Sequence, residues 1–379
     1  MSAQRYDMLD AMRGVAAFVV VGFHLSQFGM IPTIVPRGYL AVDFFFVLSG
    51  FVIAHTYEKA LQTHLSFRSF IINRVIRLYP LVLLGASVGF LVLLLKWWLF
   101  PEKVGSLGAV LMAGALNIAM VPSLAGGVSS GDLFPANGPL WSLFFELLIN
   151  LSWALFGIWL RTGALILIAL LSLASLVFLA SQSHTFNMGY DSSTFWGGLA
   201  RVCFGFPLGV ILHREKQRLP KITSHQTGIA FSTILIGLFA IPADLSGQNF
   251  QWVDLFLISI CLPLIMICGI RKTSRTSAGY LLGSLSYPVY VLHFPILLMM
   301  SGLSQTLLSD WNINIIACVS ITMILALSWV AWRFYDEPLR KVLTLIMSAG
   351  NDSLRKYQLP SDLMDERDQP DGRRTSVRV

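Results

Sequence analysis

Leu9-Asp10-Ala11-Met12-Arg13-Gly14-Val15-Ala16-Ala17, continued by the apolar Phe18-Val19-Val20-Val21-Gly22-Phe23 as far as His24, decides how the whole chain is read. At about 100° and 1.5 Å per residue, Arg13 and His24 return to one helical face, about three turns and roughly 16 Å apart. A cation stands at the start of this helix and an imidazole deep inside it. Ionisable side chains at membrane depth are costly and read as functional, with a partner to be sought elsewhere in the chain. A histidine hydrogen-bonded between packed helices is the structural alternative.

The surrounding composition makes a membrane the right solvent. Hydrophobic residues form 55% of the 379, charged residues only 12%, and the mean hydropathy is +0.69, too apolar for a soluble chain of this length. Arg13 precedes the first apolar run as in a signal peptide, but no small-x-small cleavage pattern follows His24, so the run is read as a retained first span. Cys203, Cys261, Cys268 and Cys318 fall inside apolar runs, at spacings that suit neither a metal site nor a disulfide framework. The net charge of +7 is concentrated in short segments beside apolar runs, where it sets orientation and attracts lipid head groups; no nucleic acid is expected as a partner.

Runs long enough to span lie near residues 14–31, 38–57, 78–99, 139–160, 164–181, 196–213, 226–243, 252–270, 279–302 and 313–334, with a shorter one at 104–121. Basic clusters follow alternate runs, at Arg68/Arg74/Arg77, Arg161, Arg214/Lys216/Arg218, Arg271/Lys272/Arg275 and Arg333/Arg340/Lys341. All fall on the cytoplasmic side only if 104–121 does not cross, being re-entrant or interfacial. The expected fold class is therefore all-α, a polytopic membrane helical bundle of about ten transmembrane helices with both termini cytoplasmic. Residues 1–345 form the membrane domain and 346–379 a polar, disordered cytoplasmic tail. The connection from Val121 to Gly138, with Gly126-Gly127, is placed outside as a lid or an ordinary surface loop. Phe67 to Pro80 alternates basic and apolar residues as an interfacial helix does.

Four ionisable side chains are expected at one depth in the outer half of the membrane. His24 and Asp43 are equally far in sequence from the middle of the Ile31–Arg37 loop, which suggests a histidine oriented by a carboxylate; a helix cap is the other reading of Asp43. Glu146 lies one turn after Ser142 in Pro139-Leu140-Trp141-Ser142-Leu143-Phe144-Phe145-Glu146, and Ser286, Tyr290 and His293 form a polar stripe. A shared water-accessible cavity accounts for their convergence. On the cytoplasmic side, Arg74 and Arg77 share a helix face near Arg13, an arrangement suited to phosphates as well as to ordinary positive-inside anchoring. Taken alone, these residues also fit a proton-coupled transporter or a non-catalytic member of a polysaccharide-synthesis complex.

As a set, the motifs resemble those of the acyltransferase 3 family of integral-membrane acyltransferases. The matching stretches are Leu9 to Ala17 with His24, Gly38 to Phe51, Arg74-Val75-Ile76-Arg77-Leu78-Tyr79-Pro80, Pro139 to Glu146, Ser286-Tyr287-Pro288-Val289-Tyr290-Val291-Leu292-His293 and Glu337-Pro338-Leu339-Arg340. They occur in the family's order over residues 5–341. The resemblance implies ten spans, cytoplasmic acyl-coenzyme A as donor, commonly acetyl-coenzyme A, with no metal. It implies transfer to a carbohydrate hydroxyl on exopolysaccharide, O-antigen or a glycoside, in a bacterial inner membrane, with polysaccharide-synthesis proteins as possible partners. It also implies a stand-alone member without an added extracytoplasmic hydrolase-like domain. On this reading His24, with Asp43 and Glu146, is the catalytic group. Arg13, Arg74 and Arg77 bind the donor, while Trp141, Ser142, Tyr290 and His293 serve the acceptor or the oxyanion. Direct transfer and an acyl-histidine intermediate both remain open at this level.

Overall fold

A computed structural model describes residues 6–124, 128, 131–218, 227–242, 250–271 and 277–348. Among these the chain is a helical bundle without strands, carrying one isolated antiparallel bridge between Asp132 and Asp191. Among the described residues, eight helices are long and apolar enough to cross a membrane. They are α1 (Asp7–Gln27), α2 (Gly38–Thr63), α3 (Phe67–Leu99), α6 (Thr162–Ser183), α7 (Phe195–Arg214), α9 (Trp252–Ile270), α10 (Ser277–Ser304) and α11 (Ile313–Met347). Between them lie the shorter α4 (Leu107–Ile118), α5 (Leu140–Leu155) and α8 (Thr227–Phe239). Leu167, Leu170, Leu171 and Phe178 of α6 stand exposed, as a lipid-facing surface requires.

The 104–121 stretch contains α4, whose 12 residues extend about 18 Å, too short for a hydrocarbon core of about 30 Å. It packs on α3, where the Phe90 ring lies against Gly114. Phe67 to Pro80 proves not to be a separate interfacial helix. Ser66 caps its start by accepting from the Ser69 amide at 3.1 Å, and nothing stops the helix before Leu99, so the segment is the first part of the 33-residue α3. The stretch from Gly131 to Gly138 is packed rather than free. Leu133 and Phe134 are fully buried, and the Asn137 side chain donates to Val291 O at 2.9 Å. The Gly126-Gly127 pair of the expected lid, and the tail from residue 349, lie outside the described residues.

Two seams hold the site. Along α2 and α7, glycines let the backbones touch: a Cβ on Gly50 would lie 2.0 Å from Phe206 O, and one on Gly209 would lie 2.0 Å from Val47 O. Along α1 and α10, which run parallel, Gly14 meets Leu282 and Gly283 meets Asp10. Overpacking is costly where backbone is the obstacle, so Gly209→Ala is expected to destabilise by about 1–3 kcal/mol or more. Thermal unfolding in detergent should show a clear drop, while Gly163→Ala, whose Cβ meets nothing within 4 Å, should leave the midpoint unchanged.

Candidate active site

The α1–α10 seam places Arg13 beside Ser286 and His24 beside His293. Arg13 donates to Ser286 Oγ at 2.9 Å and to Gly283 O at 2.8 Å, and pairs with Asp10 at 3.2 Å. A Cβ on Gly283 would lie 2.9 Å from Asp10 Cβ, so the glycine lets α1 come close enough for Arg13 to reach the carbonyl. Three turns further along α1, His24 Nδ1 lies 3.0 Å from Val20 O and 3.1 Å from His293 Nε2. His293 Nδ1 lies 3.0 Å from Val289 O. A carbonyl can only accept, so His293 carries its proton on Nδ1 and its Nε2 accepts from His24 Nδ1–H. That tautomer leaves the His24 Nε2 lone pair available.

Two cavities meet between these ends. The first, of about 150 Å³, is lined by Arg13, Arg74, Arg77, Glu146 and Ser286. Arg74 is nine-tenths buried. Its Nη2 lies 3.6 Å from Glu146 Oε1, and its buried Nε has no hydrogen-bond partner among the described residues. Ser49 holds the same Glu146 oxygen at 2.8 Å. The second cavity, of about 240 Å³, is lined by His24, Gln27, Asp132, Trp141, Asn187 and Tyr190 among others. Tyr190, in the loop between α6 and α7, has its phenol pKa raised by burial and then by the carboxylates of Asp191 and Asp132. Tyr290 borders both cavities, and its hydroxyl lies 2.6 Å from Ser142 Oγ. Tyr290 is the residue common to both linings, and Ser142 belongs to the first.

The expected meeting of four ionisable groups at one level is therefore corrected in two respects. His24 and His293 do come together, but Glu146 sits in the arginine-lined cavity. Asp43 does not orient His24, because both its oxygens are taken by Arg201, from Nε at 3.0 Å and Nη2 at 2.8 Å. Equal distance from a loop sets depth along a helix but not the direction a side chain faces, and Asp43 faces α7.

Arg201 is the residue that sequence reasoning missed. It is 1% exposed, donates to Met188 O at 2.7 Å and Tyr39 O at 2.9 Å, and lies over the Trp141 ring at 5.1 Å. It thereby ties α2, α5 and the α6–α7 loop around the histidine-lined cavity. Beside it, fully buried Arg37 donates to Asp254 Oδ1 at 2.8 Å, and the Tyr39 hydroxyl holds the other Asp254 oxygen. A lone arginine and a lone aspartate inside apolar runs were the available signals. Among the described residues, no group of His, Cys, Asp and Glu is arranged to hold a metal ion.

A family model described as an acyltransferase domain matches residues 6–333. The chain belongs to the acyltransferase 3 family. It thus carries the acyltransferase domain of an enzyme family, with Arg13, His24 and both cavities inside the matched region. It is 37% identical over 163 residues to protein 2 in the picA locus of Rhizobium radiobacter, covering 41% of this chain and 83% of that protein. It is 26% identical to the peptidoglycan O-acetyltransferase OatA of Listeria monocytogenes, over 88% of this chain and 55% of that protein. With the putative peptidoglycan O-acetyltransferase YrhL of Bacillus subtilis it shares 25% identity, over 88% of this chain and 54% of that one. The chain spans about half the length of these two acetyltransferases. No solved structure matches it.

Removing one member of a buried ion pair strands the other charge, so Arg201→Ala should cost about 3–5 kcal/mol. The double variant Asp43→Leu/Arg201→Met should recover most of that loss in thermal unfolding, because no unpaired charge remains.

Proposed function

We propose that this acyltransferase 3 member moves an acyl group, acetyl in the first instance, from cytoplasmic acyl-coenzyme A to a hydroxyl of a carbohydrate acceptor reached from the other side of the membrane. One observation carries the reading: a guanidinium-lined cavity with a stranded arginine donor and a histidine-lined cavity share one wall residue, Tyr290, whose hydroxyl is bonded to Ser142. Buried donors without partners are rare, and an anion at Arg74 and Arg77 would satisfy this one. A cavity of about 150 Å³ suits the slender arm of the donor, leaving its nucleotide at the mouth. Arg214, through Glu58 and the Tyr6–His55–His213 contacts, and Arg340, through Asp336 beside Arg77, lie at the Arg13 end, which supports a cytoplasmic placement of that end and of both termini; the bacterial inner membrane is part of the same proposal.

Positioning and proton transfer are the work of the chain. His24 Nε2 removes the proton of the acceptor hydroxyl as its oxygen attacks the thioester carbonyl, a contribution of about 10²–10⁴-fold. The developing oxyanion accepts a hydrogen bond from the Tyr290 hydroxyl, which turns to it from Ser142, while Ser142 keeps its proton on the Pro139 carbonyl. As the carbon–sulfur bond breaks, the proton on His24 Nε2 passes to the departing sulfur, restoring the neutral imidazole. His293 holds His24 in the tautomer that this exchange needs. Arg13 shapes the donor cavity while clamping α1 to α10, and Glu146 sets the orientation of Arg74.

Donor binding and chemistry separate in two measurements. Acetyl-coenzyme A at about a hundred times its Kd should stabilise the detergent-purified protein by about 2.7 kcal/mol, and Arg74→Ala/Arg77→Ala should abolish that gain. His24→Ala should keep the stabilisation and lose transfer by about 10²-fold or more. Substrate flux across vesicles without thioester cleavage would overturn the proposal in favour of a transporter.

A further inference from the structure

The histidine-lined cavity has a chemical character that restricts what it accepts. Asp132, Asn187 and Gln27, the last one turn beyond His24 on α1, bring carboxylate and amide groups that can hydrogen-bond hydroxyls. Trp141 and Tyr190 add aromatic faces of the kind that take the C–H side of a ring. These groups come from separate segments that are locked together. Leu133 N donates to Tyr190 O at 2.9 Å and Ser192 N to Gly131 O at 3.1 Å, so the residues before α5 and the α6–α7 loop form one rigid wall.

No lysine or arginine is among the described residues lining this cavity. Arg201, whose guanidinium lies over the lining residue Trp141, directs Nε, Nη1 and Nη2 to Asp43, Met188 O and Tyr39 O. A carboxylate or phosphate on the acceptor would therefore find no lysine or arginine among the described lining residues and would share the cavity with the Asp132 carboxylate.

We propose that this cavity is the recognition subsite for an uncharged polyhydroxylated ring, that Asp132, Asn187 and Gln27 bind its hydroxyls, and that Asp132 excludes anionic acceptors. The inference rests on the acyltransferase reading and narrows its acceptor. Charge exclusion is the economical way to discriminate here, since like-charge juxtaposition penalises the wrong partner more than one hydrogen bond rewards the right one.

Membranes containing the full chain, given radiolabelled acetyl-coenzyme A with equal amounts of methyl glucoside and methyl glucuronide, test it; anion exchange separates the products. Label is expected on the glucoside, in excess over the glucuronide by about tenfold or more. Asp132→Asn should raise the glucuronide share about tenfold, and Asn187→Ala should lower glucoside labelling about three- to tenfold. Both variants should keep the stabilisation by acetyl-coenzyme A, which shows that they fold. Preferential labelling of the glucuronide, a product ratio unmoved by Asp132→Asn, or thiol release with label on neither sugar would overturn the subsite. Absence of both donor stabilisation and thiol release in the unaltered chain would instead overturn the acyltransferase reading on which it rests.

Discussion

The parallel packing of α1 on α10 is the constraint on which the rest depends. Gly14 and Gly283 allow the two backbones to approach, and only at that distance does Arg13 reach the Gly283 carbonyl while His24 reaches His293. A parallel pair keeps its register along its length, so what is fixed at the arginine end is fixed at the histidine end. Two chemically different cavities thereby share one ruler. A looser seam would leave both sets of side chains present and out of line.

The second seam, α2 on α7, performs a different task. Its glycines bring Asp43 within reach of Arg201, and that pair, with the two carbonyls Arg201 also holds, gathers the loops around His24. Buried ion pairs add little net stability against well-packed apolar residues, but they fix geometry when every donor is used. Here the main-chain acceptors at Met188 and Tyr39 complete the set. Gly189, at φ +106° and close against Trp141 and Gly198, lets the loop come near enough for Met188 O to serve.

Much of this was legible in the chain. Hydropathy located the helices, the spacing of Arg13 and His24 along one face described α1 correctly, and the stripe of Ser286, Tyr290 and His293 lies where its periodicity placed it, toward α1 and α5. Partner choice was not legible. Whether Asp43 meets His24 or Arg201 depends on rotation about the helix axis and on which helix lies next door, and neither is encoded in distance from a loop. Glu146 shows the same limit: one turn after Ser142, it lines the arginine-lined cavity with that serine, next to Arg74, and does not join His24. Arg201 was visible as an arginine inside an apolar run; its role emerged only with the four groups that surround its guanidinium.

The hydroxyl pair of Ser142 and Tyr290 carries one more consequence. Any protein with water-filled pockets entering from both faces of an energised membrane risks becoming a leak, and a charge moved across such a membrane exchanges about 2.3 kcal/mol per 100 mV with the field. Two neutral hydroxyls bonded to one another neither feel that field as a net charge nor offer a vacant site to a passing ion. On the proposed function, their short contact, with Ser142 also held at the Pro139 carbonyl, would close the site to ions as well as serve the chemistry. A catalyst so built, on the function proposed, would leave the voltage standing.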